Sequence, residues 1–324
     1  MRIPYLIALA GVLGLSAQGQ AQVARQEVHP VQSVTLSETE FLSGKQDGKP
    51  VTLAGVLRLP TVGPEKLPAV VLLHGAAGMG GTGSTIDEWS QELNQMGVAT
   101  FAVDSWSGRS IVETATDQTR AGRLNRIVDA CRALELLAKH RQIDPARIAV
   151  MGFSHGGQSA LYSGVTRFRK AYGPASELEF AAHIAFYPAC MTTYRGDDQV
   201  TAKPIRVLHG TADDYNPITP CRVYVGRLSK VAKDIRLVEY PDAHHVFDAP
   251  EFKEPRKIAA APTTARCVLA EGDGGVIMNE ETRQPFNYGD ACVVKGPTLA
   301  YHEAASKQAR EYVRTFLREI FALK

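Results

Sequence analysis

A serine flanked by glycines is the feature of this sequence with the clearest chemical meaning. Ser154 lies within the segment 152–156, Gly-Phe-Ser-His-Gly, which fits the pattern G-x-S-x-G. The apolar stretch 147–151 precedes it and the small-residue stretch 158–164 follows, which predicts a sharp turn from a strand into a helix. Backbones approach closely at such a turn, so glycine is needed two positions on either side of the serine. The pattern predicts that Ser154 is a nucleophile that attacks an acyl carbon.

A serine nucleophile needs a base and an acid, and two loops offer them. Asp213 and Asp214 follow one predicted strand, and His244 and His245 follow the next. The carboxyl ends of parallel strands meet at one edge of a sheet, so we expect both loops near Ser154. A histidine there would take the serine proton, and an aspartate would orient the imidazole and stabilise its charged form. The residues alone leave the choice within each pair open.

The elements that must position these residues alternate along the chain from Val51 onward. Short β-branched runs alternate with helical patterns, which predicts an α/β fold with a mostly parallel central sheet and helices on both faces. The predicted strands are 51–59, 69–73, 98–103, 147–151, 181–187, 205–208 and 235–240, and the predicted helices include 117–140 and 302–322.

The segment 249–299 interrupts this alternation. Its prolines and the turn at 272–275 favour irregular structure or a small hairpin over an independent domain. We therefore interpret it as an insertion within a single catalytic domain at 22–324, and the sequence leaves open whether it forms a lid.

The first residues have the pattern of an export signal. Met1 and Arg2 precede an apolar run at 3–15 and a small, polar stretch at 16–24, which predicts a signal peptide at 1–21. The apolar run is shorter than the ~20 residues that span a bilayer, so no stable membrane insertion is expected. A secreted or periplasmic location follows. The net charge of +2 is dispersed along the chain, which argues against a nucleic-acid partner.

Export would allow disulfides among the five cysteines. Cys190 and Cys221 are expected on the same rim of the sheet, and we hypothesise that they pair. Cys267 and Cys292 bracket a glycine-rich segment and form the second hypothesised pair. Cys131, in an apolar helical pattern, is expected to be a buried free thiol.

Several motifs together resemble those of α/β-hydrolases and, more narrowly, of the dienelactone hydrolase family. They are the segments 73–75, 103–109, 152–157, 209–213 and 240–247. The resemblance implies that Asp213 is the acid and His245 the base. The fold would supply two oxyanion donors, the backbone N–H groups of Ala76 and His155. The enzymes that give this family its name resemble the chain in fold but use cysteine where Ser154 stands, and a serine favours ordinary ester or amide hydrolysis.

Other residues near these motifs have two interpretations each. Arg109 could orient a substrate carboxylate or form a salt bridge with Asp104 or another loop acid. Trp106 and Tyr215 could line the substrate pocket or anchor loops. His74 is expected to brace its loop, and the glycine-rich stretch 78–83, which lacks the lysine of a phosphate-binding loop, is predicted to be a flexible loop over the oxyanion site.

The expected function is hydrolysis of a small-molecule carboxylic ester by a secreted enzyme, through an acyl-enzyme on Ser154. No cofactor is expected. A metal site at His244, His245 and Asp248 is disfavoured, because consecutive histidines rarely face one point. A peptidase or amidase on the same triad and a non-catalytic binding protein are the alternatives. The acyl and alcohol groups of the substrate and the oligomeric state are left open.

Overall fold

A computed structural model describes residues 23–61, 63 and 65–323, so the predicted signal peptide at 1–21 lies outside the described residues. The strands are β1 (Val23–Thr35), β2 (Lys49–Pro60), β3 (Leu67–Leu73), β4 (Ala99–Asp104), β5 (Ile143–Phe153), β6 (His183–Phe186), β7 (Thr192–Thr193), β8 (Ile205–Gly210), β9 (Ile235–Tyr240), β10 (Arg256–Lys257), β11 (Pro262–Thr263), β12 (Leu269–Glu271), β13 (Ile277–Asn279), β14 (Gln284–Pro285), β15 (Val294–Lys295) and β16 (Thr298–Leu299). The α-helices are α1 (Glu38–Leu42), α2 (Gly78–Gln95), α3 (Arg126–Ala138), α4 (His155–Tyr162), α5 (Thr166–Tyr172), α6 (Ile218–Leu228) and α7 (Glu303–Phe321).

The central sheet has eight strands in the order β1-β2-β4-β3-β5-β6-β8-β9. β1 and β2 are antiparallel to their neighbours, whereas all pairs from β4 to β9 are parallel. The predicted mostly parallel sheet is therefore confirmed. Its parallel strands all end at one edge, which is where the loops after β3, β5, β8 and β9 meet.

Helices cover both faces of this sheet, which explains why its inner strand β3 is apolar at every position. In β3, Val70 and Leu72 face the core that holds Trp89 of α2, whereas Val71 faces the core that holds Leu134 of α3. Successive side chains of a strand point to opposite faces, so a strand buried on both sides needs apolar residues throughout. Each such side chain contributes roughly 1.5–3 kcal/mol by leaving water.

Two elements differ from the sequence predictions. β1 was not predicted, because it lies at the edge of the sheet and mixes exposed and buried residues, with Val28 69% exposed. The predicted flexible loop at 78–83 is wrong, because α2 begins at Gly78. The helix is stabilised by burial of Ile86, Trp89 and Leu93, which outweighs the low helix propensity of its glycines.

The predicted helix at 117–140 is shorter than expected. A 3-10 turn occupies Gln118–Arg120, and α3 begins only at Arg126. The residues between them run along the edge of the sheet where the serine loop lies.

The segment 249–299 consists of short strands and two 3-10 turns. β12 and β13 form a small antiparallel hairpin, and β12 also pairs with β7 in the loop after β6. The Cys267–Cys292 disulfide closes this segment, and the Cys190–Cys221 disulfide joins the loop after β6 to α6. Both predicted pairs are confirmed, and Cys131 is a buried free thiol.

None of the helices in the described ranges is long and apolar enough to cross a membrane. The two disulfides are compatible with a secreted or periplasmic protein.

Candidate active site

Ser154 occupies a strained turn between β5 and α4. Its φ of 55° and ψ of −113° lie outside the regions that a serine usually adopts. The glycines on either side make the turn possible. A Cβ on Gly152 would lie 2.1 Å from the carbonyl oxygen of Gly156, and a Cβ on Gly156 would lie 2.1 Å from that of Leu73. The turn holds the Ser154 side chain at the carboxyl edge of the sheet.

A chain of hydrogen bonds links Ser154 to the loops after β8 and β9. His245 Nε2 lies 2.8 Å from Ser154 Oγ, and His245 Nδ1 lies 2.8 Å from Asp213 Oδ2. The other oxygen of Asp213 accepts hydrogen bonds from the backbone amides of Tyr215 and Asn216 at 2.9 and 2.8 Å. The buried carboxylate thus has a partner for each oxygen, and a proton on Nδ1 leaves Nε2 free to accept from the serine.

The neighbouring candidates point elsewhere. Asp214 accepts hydrogen bonds from the backbone amide and the hydroxyl of Thr298, at 2.7 and 2.9 Å. His244 makes no hydrogen bond to Ser154 or Asp213 among the described residues. The structure therefore brings Asp213 and His245 to Ser154, and not the residues beside them.

Packing and backbone strain fix the His245 ring. Its centroid lies 4.7 Å from that of Tyr187 and 4.8 Å from that of Tyr215. The next residue, Val246, has a φ of 59°, which is rare for a β-branched side chain. Such strain costs about 1–3 kcal/mol and persists only where the surroundings enforce it.

Two backbone amides beside Ser154 have the position expected of oxyanion donors. Ala76 and His155 line the same small pocket as Ser154. Within the described ranges, neither amide donates a hydrogen bond to another protein group. The carbonyl of Ala76 is held on its other side by Thr114 N at 2.8 Å and Trp106 Nε1 at 3.2 Å. Two free donors can therefore face an oxygen bound next to Ser154.

The pocket at Ser154 has a volume of about 30 Å³. Its wall comes from the loops after β3, β4, β5, β6 and β8 and from the segment 249–299. The lining residues are Ala76, Thr114, Gln118, Arg123, Ser154, His155, Gln158, Ala189, Tyr215, Asn216, Thr263 and Thr264. A second cavity of about 350 Å³ adjoins it and shares Gln118 and Arg123 with it.

Comparison with known proteins identifies the family of this chain. The model of the dienelactone hydrolase family matches residues 53–270, which include Ser154, Asp213 and His245. This chain belongs to the dienelactone hydrolase family. No curated protein sequence matches it significantly.

Solved structures that resemble this family member share its α/β-hydrolase fold. A Klebsiella pneumoniae protein described as a dienelactone hydrolase has a TM-score of 0.56 at 14% identity, with 90% of this chain and 98% of that chain covered. The dienelactone hydrolase-like promiscuous phosphotriesterase P91 from metagenomic libraries has a TM-score of 0.55 at 16% identity, with 91% and 98% covered. Esterase 2 of Thermogutta terrifontis, phosphonylated by cyclosarin, has a TM-score of 0.50 at 18% identity, with 70% and 86% covered.

Three residues of this dienelactone hydrolase family member were predicted to bind substrate: Arg109, Trp106 and Tyr215. Only Tyr215 lines the pocket. Arg109 is buried and forms a bidentate pair with Asp129, with both distances 2.8 Å. It also donates to the carbonyl oxygens of Ser105 and Val34 and to the hydroxyl of Thr35. Its donors are used within the protein, so of its two interpretations the structure supports the salt bridge and not the contact with a substrate carboxylate; its acid is Asp129 rather than Asp104.

Trp106 lies behind the pocket rather than in its wall. The side chain is 1% exposed and its indole N–H is bonded to the carbonyl of Ala76. Of its two predicted roles, the structure supports that of a loop anchor.

His74 braces two loops, as expected. Its Nδ1 lies 2.7 Å from the carbonyl oxygen of Gly75, and its Nε2 accepts from the backbone amide of Ser105 at 3.1 Å. Burial lowers the pKa of His74 well below its ordinary value, and the same holds for His155. Both rings are therefore neutral at physiological pH.

Arg123 is one of several pocket residues that the sequence prediction missed. Its Nε donates to Tyr288 Oη at 3.0 Å, and that hydroxyl donates to Gln118 Oε1 at 2.9 Å. Gln118 in turn donates to the carbonyl of Pro262. These bonds form a wall between the two cavities. The only sequence signal was an arginine at the start of an apolar helical pattern, which gave no hint of its partner 165 residues later.

One cluster resembles a metal site by composition. A Glu27 oxygen lies 2.8 Å from His29 Nε2 and 3.5 Å from His140 Nε2. Arg25 Nε lies 2.8 Å from the other Glu27 oxygen. The backbone amide of Gln142 donates to His140 Nδ1 at 3.3 Å. That bond places the proton of a neutral His140 on Nε2, where a metal would have to bind. The contacts describe an ion-pair network between β1 and the end of α3.

The disfavoured metal site at His244, His245 and Asp248 is not assembled. The Asp248 oxygens accept hydrogen bonds from Tyr187 Oη and Trp89 Nε1, both at 2.8 Å.

Proposed function

We propose that this protein is an exported serine esterase that hydrolyses small carboxylic esters through an acyl-enzyme on Ser154. The observation that carries the proposal is the continuous hydrogen-bonded chain from Ser154 through His245 to Asp213 on a strained strand-to-helix turn. Membership of the dienelactone hydrolase family supports a hydrolase.

The geometry supports a two-step mechanism. Ser154 Oγ attacks the ester carbonyl while His245 Nε2 takes its proton, and Asp213 stabilises the imidazolium. The amides of Ala76 and His155 donate to the oxyanion of the tetrahedral intermediate. His245 then gives the proton to the departing alcohol, which leaves an acyl group on Ser154. A water molecule activated by the same histidine releases the acid and restores the serine.

Pocket size supports a short acyl group. A single water needs about 10–15 Å³ of such volume, so the 30 Å³ beside Ser154 suits a group of two or three heavy atoms, such as acetyl. Thr263 and Thr264 of the segment 249–299 form part of its wall, which supports a lid that selects by size. The adjoining cavity of about 350 Å³ is large enough for the alcohol part once the wall at Gln118 and Arg123 opens.

Export is supported by two features. The segment 1–21 has the pattern of a signal peptide, and the two disulfides suit an oxidising compartment. The protein is accordingly proposed to act outside the cytoplasm.

The esterase proposal is tested by turnover of the purified mature protein and of Ser154→Ala. We expect hydrolysis of p-nitrophenyl acetate, slower hydrolysis of the octanoate and little of aminoacyl anilides. Ser154→Ala should lose activity by at least about 10³-fold. Ser163→Ala, at the end of the same helix, is the matched control. Ester turnover that survives in Ser154→Ala would contradict the mechanism.

The alternatives give different results in the same experiment. Faster turnover of anilides than of esters would favour a peptidase or amidase. No turnover of any substrate by the wild-type protein, with no labelling by a fluorophosphonate, would favour a binding protein.

A further inference from the structure

Arg126, at the first position of α3, is a fully buried cation without an ion-pair partner. It is 0% exposed, and within the described ranges none of its three guanidinium nitrogens has a protein acceptor at hydrogen-bond distance. Asp129 lies one turn further along, but its carboxylate is occupied by Arg109 on both oxygens and by the hydroxyl of Ser33 at 2.6 Å. A buried charge without a partner lowers stability, so its presence needs an explanation.

The position of Arg126 near the predicted oxyanion donors offers an explanation for this buried charge. Its guanidinium carbon lies 5.0 Å from the centre of the Trp106 ring. Trp106 donates its indole N–H to the carbonyl of Ala76 at 3.2 Å, and its ring centroid lies 5.7 Å from that of His155. Trp106 therefore contacts the cation and also both residues predicted to supply the oxyanion donors.

Among the described residues, no side chain pairs directly with this charge. His74 and His155, which also contact Trp106, are neutral because burial lowers their pKa. Burial lowers the pKa of Arg126 itself only to about 9, so it stays protonated at neutral pH. Asp104 is partly exposed and accepts hydrogen bonds from the backbone of its own turn. In such a buried environment a charge acts over a longer distance than in water.

We propose that Arg126 is a positioning residue whose unpaired positive charge, held against the Trp106 ring, stabilises the oxyanion that forms at the amides of Ala76 and His155. This role rests on the esterase function proposed above. It explains why a charge that lowers stability is retained, since active sites commonly trade stability for a favourable electrostatic environment. Arg126 makes no contact with the substrate in this role.

The test compares Arg126→Lys with Arg126→Met, two unbranched side chains that differ in charge. Arg126→Met is expected to lower kcat for p-nitrophenyl acetate about 10-fold with KM within about 2-fold. Its melting temperature should be unchanged or higher, because an unpaired buried charge has been removed. Arg126→Lys should keep kcat within about 3-fold of wild type. Arg132→Met on the same helix, where Arg132 pairs with Glu135, is the control.

The outcomes separate the role of Arg126 from the esterase function. Wild-type kcat in Arg126→Met would overturn the role, and so would equal kcat losses in both variants or failure of Arg126→Met to fold. If Ser154→Ala is inactive, any of these results would refute only the role of Arg126, and the proposed esterase function would still stand. Active Ser154→Ala would instead refute the esterase function itself.

Discussion

Asp213 and His245 lie in direct hydrogen-bond contact, with Oδ2 2.8 Å from Nδ1, although 32 positions separate them in the chain. Asp214, the next residue, turns in the opposite direction and binds Thr298 of the segment 249–299. Adjacent aspartates therefore have separate tasks: one faces the imidazole, and the other holds the segment that borders the pocket.

Asp213→Asn should lower kcat by about 10³–10⁴-fold, because an amide cannot hold the imidazole in the required tautomer or stabilise its charged form. Asp214→Asn is the matched control and should stay within about 3-fold of wild type. Steady-state kinetics on p-nitrophenyl acetate measure both. A larger loss in Asp214→Asn than in Asp213→Asn would assign the acid differently.

Arg109→Ala should destabilise the protein by about 3–5 kcal/mol, because it leaves the buried Asp129 carboxylate without its cation. Urea unfolding measures the change, with the exposed Arg120→Ala as control. Preference for esters that carry a carboxylate should not change in any Arg109→Ala that remains folded. Selective loss of activity on such esters would restore a substrate-binding role for Arg109.

His183 should make stability depend on pH. Burial lowers its folded-state pKa from 6.5 to about 4. Between these values the unfolded chain binds a proton that the folded chain does not, so stability is full above pH 6.5 and falls as pH falls towards 4, by about 3 kcal/mol. Urea unfolding at pH 7 and pH 4.5 should show a smaller loss in His183→Gln than in wild type. Equal losses in both proteins would refute this assignment.

Thr264→Ala should shift the preference of the enzyme towards longer acyl groups. The substitution removes two heavy atoms from the wall of the 30 Å³ pocket. We expect the ratio of kcat/KM for propionate to that for acetate to rise about 10-fold, since one methylene in a tight pocket has an effect of this order. An unchanged ratio, with acetate turnover intact, would show that this wall does not select the acyl group.

The site was predictable from sequence wherever short motifs determine local geometry. The glycines around Ser154 and the loops that follow the strands before Asp213 and His245 each lie within a few residues of the element that positions them. Arg123 was not predictable in this way, because its partner Tyr288 comes from a distant segment. Arg126 was not predictable either, because its contact with Trp106, which in turn binds the carbonyl of Ala76, is seen only in the structure.

The same distinction applies to the fold. The inner strands were recognised because burial on both faces makes them mostly apolar. β1 was missed because an edge strand is buried on fewer sides and its polar residues interrupt that pattern. The two interpretations of Arg109 could not be separated from sequence, because a sequence does not show that Asp129 comes within bonding distance of it.

The most direct test of a nucleophilic Ser154 is covalent labelling with a fluorophosphonate, followed by peptide mass spectrometry and residual esterase activity. We predict one label per chain on the peptide that contains Ser154, loss of ester turnover in parallel with labelling, and no label in Ser154→Ala. Ester turnover that persists in a fully labelled protein, or inactivation with the label on another residue, would contradict a Ser154 acyl-enzyme.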